Sequence, residues 1–340
     1  MGLLSKLLRK KNTSQNNSTV NITFTVIDSF GDNPPALQGD YAKSIFLWAH
    51  NKVSPIRQKD SCPNYFLYEC GIRDASKYHM QLIEEGYFEP ASPAAALDAL
   101  KVADLKQILS KLNQPVSGKK IMLIERILAT ADQAELDSIC NKLYMPSQKG
   151  RAFLHEHNNY VLIHKHRNWC IDWHEFDVHH KPGYSFYDTV WGILSERASH
   201  DTYNFGRNEI FCMYQLLLEE GKRERALEML LRVLYIDLSG ARVFHMLTQY
   251  KKGLLSKDYL KDSFRIAIML APGIIQPLVE NKDIYSDDII DQLYLQKLPV
   301  QICTKAMFRN IVHSILDGTF EENVVEEKLQ KAYVRFIDQI

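Results

Sequence analysis

The chain has 340 residues, 46% of them hydrophobic, and its 41 Lys and Arg residues are matched by 41 Asp and Glu residues. The length favours two or three domains, and the apolar content is ample for buried cores. The zero net charge excludes a general attraction to nucleic acid or to membranes, so any site for a polyanion must be local.

The cysteines and the hydropathy pattern bear on the compartment. No two cysteines have the Cys-x-x-Cys spacing, and widely separated cysteines are typical of free thiols in a reducing compartment. No apolar run approaches the roughly 20 residues of a transmembrane helix, and we expect no signal peptide. The sequence therefore predicts a cytoplasmic protein without a membrane span.

Residues 1–18 are first basic and then polar. Leu3, Leu4, Leu7 and Leu8 can share one helical face beside several cations, and such a pattern can lie on an anionic membrane. The segment is too short for a stable isolated helix, and Lys6 stands where a myristoylation pattern has Ser or Thr. We interpret residues 1–18 as a flexible basic tail and linker, and we do not expect residues 1–11 to bind membranes.

Residues 19–92 are predicted to form a small α+β region. Apolar and polar residues alternate over positions 20–26, which is typical of a half-buried strand. Helices are expected over Tyr41–His50 and Asp74–Glu85, and the second of them ends at Gly86.

Residues 93–131 carry the most specific pattern in the chain. Apolar residues recur at helical spacing from position 97 to position 112, which predicts one amphipathic helix. Asn113 tolerates the left-handed conformation that ends helices, and Pro115 cannot continue one. Ser117 is predicted to cap a second helix, and Gly118 permits an unusual backbone angle. The residues expected on the buried face of that second helix are Ile121, Leu123, Ile124, Ile127 and Leu128.

This helix–loop–helix pattern resembles the SAP family, whose members are small modules that bind double-stranded DNA. The family commonly has Gly-Leu where this chain has Asn113 and Gln114, so an apolar plug is missing here. The resemblance implies that DNA phosphates meet the corner at which the second helix begins.

The charges of this segment agree with that implication. From position 97 to position 128, six basic minus three acidic residues leave about +3 on a neutral chain, and a helix N-terminus also favours an anion. We expect weak, largely sequence-independent binding to double-stranded DNA, with AT-rich duplexes as a possible target. The candidate nucleic-acid-binding residues are Lys101, Lys106, Ser117, Gly118, Lys119, Lys120 and Arg126.

An alternative stays open at this point. A Leu-rich helix pair with a basic turn is also typical of an ordinary packing unit with a solvated edge. The chain would then be a helical interaction or assembly protein that binds no nucleic acid.

Histidines are concentrated between His155 and His180. Imidazoles and carboxylates bind transition metals, so a metal-dependent enzyme is a third alternative. The His-Glu-x-x-His spacing is absent, however, and the two His-x-His pairs fit strands better than helices. We therefore predict a β-hairpin over positions 159–176 whose histidines pack or face solvent, with no metal, no cofactor and no catalysis.

Residues 132–340 are predicted to be mostly helical outside that hairpin. Two helices, Asn208–Glu220 and Arg223–Asp237, flank a turn at Gly221 and resemble the antiparallel pair of a tetratricopeptide repeat. No second copy follows at that repeat's period, so we expect an irregular helical domain that binds a protein partner.

The predicted fold class is mainly α with a small α+β N-terminal region, a SAP-like helix–loop–helix module and a larger irregular α-helical domain. The Gly-Tyr-Phe segment at positions 86–88 followed by the SAP pattern resembles uncharacterised SAP-containing proteins of Gram-positive bacteria and their prophages.

Overall fold

The computed structural model describes residues 34–56, 63–140 and 143–340. Over these residues the protein is mainly α-helical with one two-stranded sheet, which confirms the predicted fold class. The chain divides into two compact units between Glu156 and His157. The finer division into segments 1–18, 19–92, 93–131 and 132–340 stays a prediction. The basic tail and the strand expected over positions 20–26 lie outside the described residues.

None of the helices in the described ranges has the length and apolarity needed to cross a membrane.

The first unit consists of helices joined by two short strands. In chain order these elements are α1 (Gly39–Ala49), α2 (Asn64–Tyr68), α3 (Ala75–Glu84), β1 (Phe88–Pro90), α4 (Pro93–Ala99), α5 (Val102–Lys111), α6 (Lys120–Thr130), α7 (Gln133–Cys140), β2 (Tyr144–Pro146) and α8 (Gln148–Glu156).

The two strands pair with each other although more than 50 residues separate them in the chain. β1 and β2 are antiparallel, with Phe88 opposite Pro146 and Pro90 opposite Tyr144. Tyr144 also exchanges two backbone hydrogen bonds with Ser54, of 3.0 and 2.9 Å. Proline lacks an N–H group, so the prolines limit further growth of this sheet. The pairing of β1 with β2, which we call the clip, therefore brings together the two ends of the segment 91–143.

The segment expected to be a single helix is in fact two helices. α4 ends at Ala99, Leu100 and Lys101 are extended, and α5 begins at Val102. The carboxylate of Asp104 accepts a hydrogen bond from the Lys101 backbone N–H at 3.2 Å. A carboxylate at the third helical position favours a new helix start over continuation of the old helix, and apolar periodicity alone does not register this local competition.

The loop that follows α5 has the geometry expected from the sequence. Asn113 has a φ of 57° and Gly118 a φ of 129°. The N–H of Gln114 bonds to the carbonyl of Leu109 at 2.8 Å, and that of Asn113 to the carbonyl of Ser110 at 3.1 Å. This pair of backbone hydrogen bonds is a Schellman motif, which satisfies the last carbonyls of α5.

The second unit is entirely helical where it is described. Its elements are α9 (Asn158–Lys165), a 3₁₀ turn (Arg167–Trp169), α10 (Trp173–His179), α11 (Phe186–His200), α12 (Arg207–Glu219), α13 (Arg223–Ser239), α14 (Val243–Lys251), α15 (Lys257–Asp262), α16 (Phe264–Ala267), α17 (Pro272–Glu280), a second 3₁₀ turn (Lys282–Ile284), α18 (Asp287–Leu293), α19 (Lys305–Leu316) and α20 (Glu322–Asp338).

The β-hairpin predicted over positions 159–176 is wrong. The segment forms α9, a 3₁₀ turn and the start of α10. Val161 and His164 are both buried and lie three residues apart, which is a helical spacing. Asp172 caps α10 by accepting from the N–H of Glu175 at 2.9 Å. The alternation of histidines coincided with a strand pattern, whereas the buried positions follow a helical one.

The helix pair expected around Gly221 is present as α12 and α13, which pack closely against each other. Gly221 has a φ of 73° in the connecting turn, and Ala226 is fully buried. Asp237 on α13 is also fully buried and accepts hydrogen bonds from Arg207, at 2.8 Å, and from Arg242, at 2.8 Å.

Candidate nucleic-acid interface

The helix–loop–helix segment has its own small core. α5 and α4 both pack on α6, and α4 also packs on α7. The buried members of this core are Leu97, Leu105, Leu109, Leu123, Ile124 and Ile127. Ala96 and Cys140 belong to a second small cluster with Ala91 next to β1. The helix–loop–helix segment is thus joined to the rest of the first unit by the clip and by the cluster of Ala91, Ala96 and Cys140.

Ser117 does not cap α6, contrary to the prediction. The N-cap residue is Lys119, and no side chain accepts a hydrogen bond from the first turn of the helix. Gly118 separates the two residues and takes a backbone angle that L side chains rarely adopt. The exposed backbone N–H groups at the start of α6 are therefore open to an acceptor from outside the helix.

Arg126 holds the loop instead of pointing into solvent as a free cation. One terminal nitrogen, Nη1, donates to the carbonyl oxygens of Pro115 and Ser117, the latter at 3.1 Å. Two loop carbonyls that precede the helix are thereby fixed by one guanidinium. The structure gives Arg126 a positioning role at this site.

Lys120 is likewise engaged within the protein. Its Nζ donates to the carbonyl oxygen of Asp98 and lies 3.2 Å from that residue's carboxylate oxygen Oδ1. The contact joins the end of α4 to the start of α6. The Lys120 side chain is only 38% exposed, and its charge is partly offset by Asp98.

Three of the predicted lysines are available to an external anion. Lys101, Lys106 and Lys119 are all exposed. Among the residues that the structure describes, no carboxylate forms an ion pair with any of the three. Lys119 lies at the start of α6, and the other two belong to the start and the first turns of α5.

The immediate neighbourhood contains more negative charge than the sequence motif suggested. α7 begins after Asp132 and carries Glu135 and Asp137. Asp132 and Glu135 cap each other's backbone N–H groups, at 2.8 and 3.1 Å. Over positions 93–140 the six basic residues are balanced by six acidic ones, so the positive charge is confined to the α5 and α6 side.

Two apolar residues expected in the core are exposed. Ile121 is 64% and Leu128 37% exposed, whereas Leu123 and Ile127 are fully buried. Successive residues of a helix are rotated by about 100°, so positions 123, 124 and 127 share one narrow arc. Position 128 lies at its edge and position 121 beyond it. The core is small, since α4 and α5 cover only that arc of α6, and positions 121 and 128 stay outside it.

From His157 onward the histidine-rich segment lies in the second unit, where its histidines pack against other rings and form hydrogen bonds. His166 stacks on Trp169 with ring centroids 4.0 Å apart, and burial lowers the pKa of His166. The ring of His180 lies 2.8 Å from the hydroxyl of Thr189. Over positions 34–56, 63–140 and 143–340, no three His, Cys, Asp or Glu side chains are grouped so that they could hold a metal ion.

Comparison with known families identifies one domain. Residues 96–130 match the model described as SAP domain, so the chain contains a SAP domain at the segment with this geometry. No curated protein and no solved structure matches the chain. The bacterial or prophage origin and the tetratricopeptide resemblance of α12 and α13 receive no support from these comparisons and stay predictions.

Proposed function

We propose that the SAP domain binds duplex DNA weakly, with little dependence on sequence, at the corner where α6 begins. One juxtaposition carries the proposal: the exposed Lys119 is the N-cap of a helix whose first turn no side chain caps. Such N–H groups and the helix dipole favour an anion, and phosphate is the anion that a duplex presents. The match to the SAP domain supports nucleic-acid binding in general.

The seven candidate residues divide into two groups under this proposal. Lys101, Lys106 and Lys119 supply the charge. Ser117 and Gly118 bring the loop to the helix start, while Lys120 and Arg126 fix its shape from within. With about three phosphates neutralised, the logarithm of the affinity is expected to fall against the logarithm of salt concentration with a slope of about −3.

The test is a salt titration of the full chain with a duplex, in the parent and in matched lysine variants. Lys119→Gln should make the slope less negative by about 1. Lys77→Gln changes another exposed lysine, on α3 of the same unit, and should leave the slope unchanged. Undetectable binding at low salt, or a parental slope near zero, would refute the DNA proposal.

The positioning role of Arg126 is tested by comparing affinity with the salt slope. Arg126→Met removes the donors to the loop carbonyls, so binding should weaken about threefold or more while the salt slope keeps its parental value. If the slope instead drops as it does in Lys119→Gln, Arg126 contacts phosphate directly. Circular dichroism and melting temperature check that α6 is still formed.

The second candidate function is a helical assembly protein whose SAP domain touches no nucleic acid. The balance of charges over positions 93–140 and the packing of α4 on the acidic α7 favour it. The same titration separates the candidates when an acidic protein is included as a second polyanion. Binding of the chain to the acidic protein without binding to the duplex would favour assembly.

For the second unit we propose a protein-interaction role without catalysis. Several apolar side chains of that unit face solvent, among them Val178, Leu254 and Leu295 at 81%, 67% and 73% exposure. Exposed apolar side chains favour contact with other proteins where they form one contiguous patch. We also propose a cytoplasmic location, which the free thiols of the five described cysteines support.

A further inference from the structure

Apolar side chains stand beside the cationic corner of the SAP domain. Ile121 and Met122 lie in the first turn of α6 and are 64% and 47% exposed, and Val116 in the loop is 42% exposed. A Cβ built on Gly118 would lie 3.4 Å from the Cβ of Met122, so the methionine lies over the turn that precedes the helix. All three residues are within five positions of Lys119.

Packing of the domain core does not account for these apolar residues. The buried arc of α6 is filled by Leu123, Ile124 and Ile127, and the core of the domain closes without Ile121. They are also not explained by contact with phosphate, since a phosphate group is recognised by cations and N–H donors. The corner therefore combines an anion-binding part with an adjoining apolar part.

A DNA duplex has dimensions that allow the anion-binding part and the apolar part of the corner to contact it at the same time. A helix with its side chains is about 10–12 Å across, and the major groove is about 12 Å wide. A phosphate held by the N–H groups at the start of α6 places that end of the helix beside the DNA backbone, at the wall of the groove. The side chains of the first turn then lie next to the adjoining base edges, and Ile121 and Met122 follow Lys119 about 3–5 Å further along the helix axis.

The apolar group that base edges display in the major groove is the methyl group of thymine. We propose that Ile121 and Met122 contact thymine methyl groups there while Lys119 and the α6 amides hold a phosphate. This inference rests on the DNA-binding function proposed above, whose sequence dependence it limits to a preference for thymine without a required order of bases. It adds the groove, the chemical group and the two residues that contact it.

The experiment uses two duplexes that differ only in that deoxyuridine replaces every thymidine, which removes the methyl groups and keeps the pairing. The full-length parent should bind the thymidine duplex more tightly, by about fourfold for each methyl group that it buries. The double variant Ile121→Ser, Met122→Gln should bind both duplexes equally and keep the parental salt slope.

The matched control is Val178→Ser, which removes an exposed apolar side chain from the second unit and should preserve the preference for thymidine. Equal affinity of the parent for the two duplexes, with binding that still depends on Lys119, would overturn the methyl contact and leave the DNA proposal standing. A thymidine preference that survives in the double variant would also overturn it. No binding to either duplex at low salt would refute both.

Discussion

The SAP domain and the helix pair α12–α13 both bury leucines between helices, but they are held together in different ways. α13 is a helix of 17 residues that is buried along most of its length, and apolar packing dominates its surroundings. The SAP domain has six buried core residues and adds ties from side chains to backbone, such as those of Lys120 and Arg126. A small core leaves loop geometry under-determined, so polar contacts must fix it.

The ion pairs show the same contrast. The carboxylate of Asp237 in the helix pair is fully buried between two arginines whose side chains are 13% exposed. The carboxylate of Asp98 in the SAP domain is 74% exposed. Breaking a buried pair strands a charge in a poorly solvated site, whereas breaking an exposed one returns both partners to water.

The largest effect is expected from Asp237→Ala. The change leaves Arg207 and Arg242 without their carboxylate in a nearly buried site, so the second unit should lose about 3–5 kcal/mol of unfolding free energy in urea titrations. The control is Asp283→Ala, which breaks the exposed pair with Arg223 at 3.1 Å and should cost less than about 1 kcal/mol. Equal losses would show that burial does not decide the outcome.

Leu105→Ala is expected to have the next largest effect. Leu105 is fully buried in the small SAP core, and the cavity should cost about 3 kcal/mol. Hydrogen exchange should show the loss over positions 91–143, since the clip and the α4–α7 contact join this segment to the first unit. Leu128→Ala, at a 37% exposed position of the same domain, should cost far less. Equal exchange in both variants would contradict the assigned core.

The third prediction concerns pH and the clip. His79 is fully buried against Phe88 of β1 and Tyr144 of β2, with ring centroids 4.4 and 5.9 Å away. Neither ring nitrogen has a hydrogen-bond partner among the described residues. Burial, with a smaller contribution from the neighbouring His50, lowers the pKa of His79 from 6.5 to about 4.

The direction in which stability changes with pH follows from proton binding by the folded and unfolded chains. Between pH 6.5 and 4 the unfolded chain protonates His79 and the folded chain does not, so stability is full above that window and falls as pH falls through it. The first unit should lose about 2 kcal/mol between pH 7 and 5. His79→Phe, which keeps an aromatic ring in the same cage, should remove most of that dependence. An unchanged pH profile in His79→Phe would assign the dependence to other groups.

The smallest effect is expected from Asp98→Ala. The exposed pair with Lys120 should contribute less than about 1 kcal/mol to stability. The hydrogen bond to the backbone carbonyl of residue 98 remains, but loss of the carboxylate should make the salt slope of DNA binding slightly more negative, because the charge of Lys120 is no longer offset. A large loss of stability would show that this contact, like Arg126, holds the SAP domain in shape.

The sequence alone located the SAP domain, its loop and the helix pair around Gly221. α12 and α13 lie within two residues of the bounds that the apolar spacing indicates, and the left-handed Asn113 follows from residue type. These features depend on contacts within a few residues, and local spacing and turn chemistry encode such contacts directly.

Other features were decided only by the tertiary structure. The break at Leu100, the helices in place of a hairpin near His164 and the pairing of β1 with β2 each depend on a local competition or on residues far apart in the chain. The roles of Lys120 and Arg126 changed for the same reason. A motif counts cations, but whether a cation is free depends on which carbonyl or carboxylate the fold places beside it.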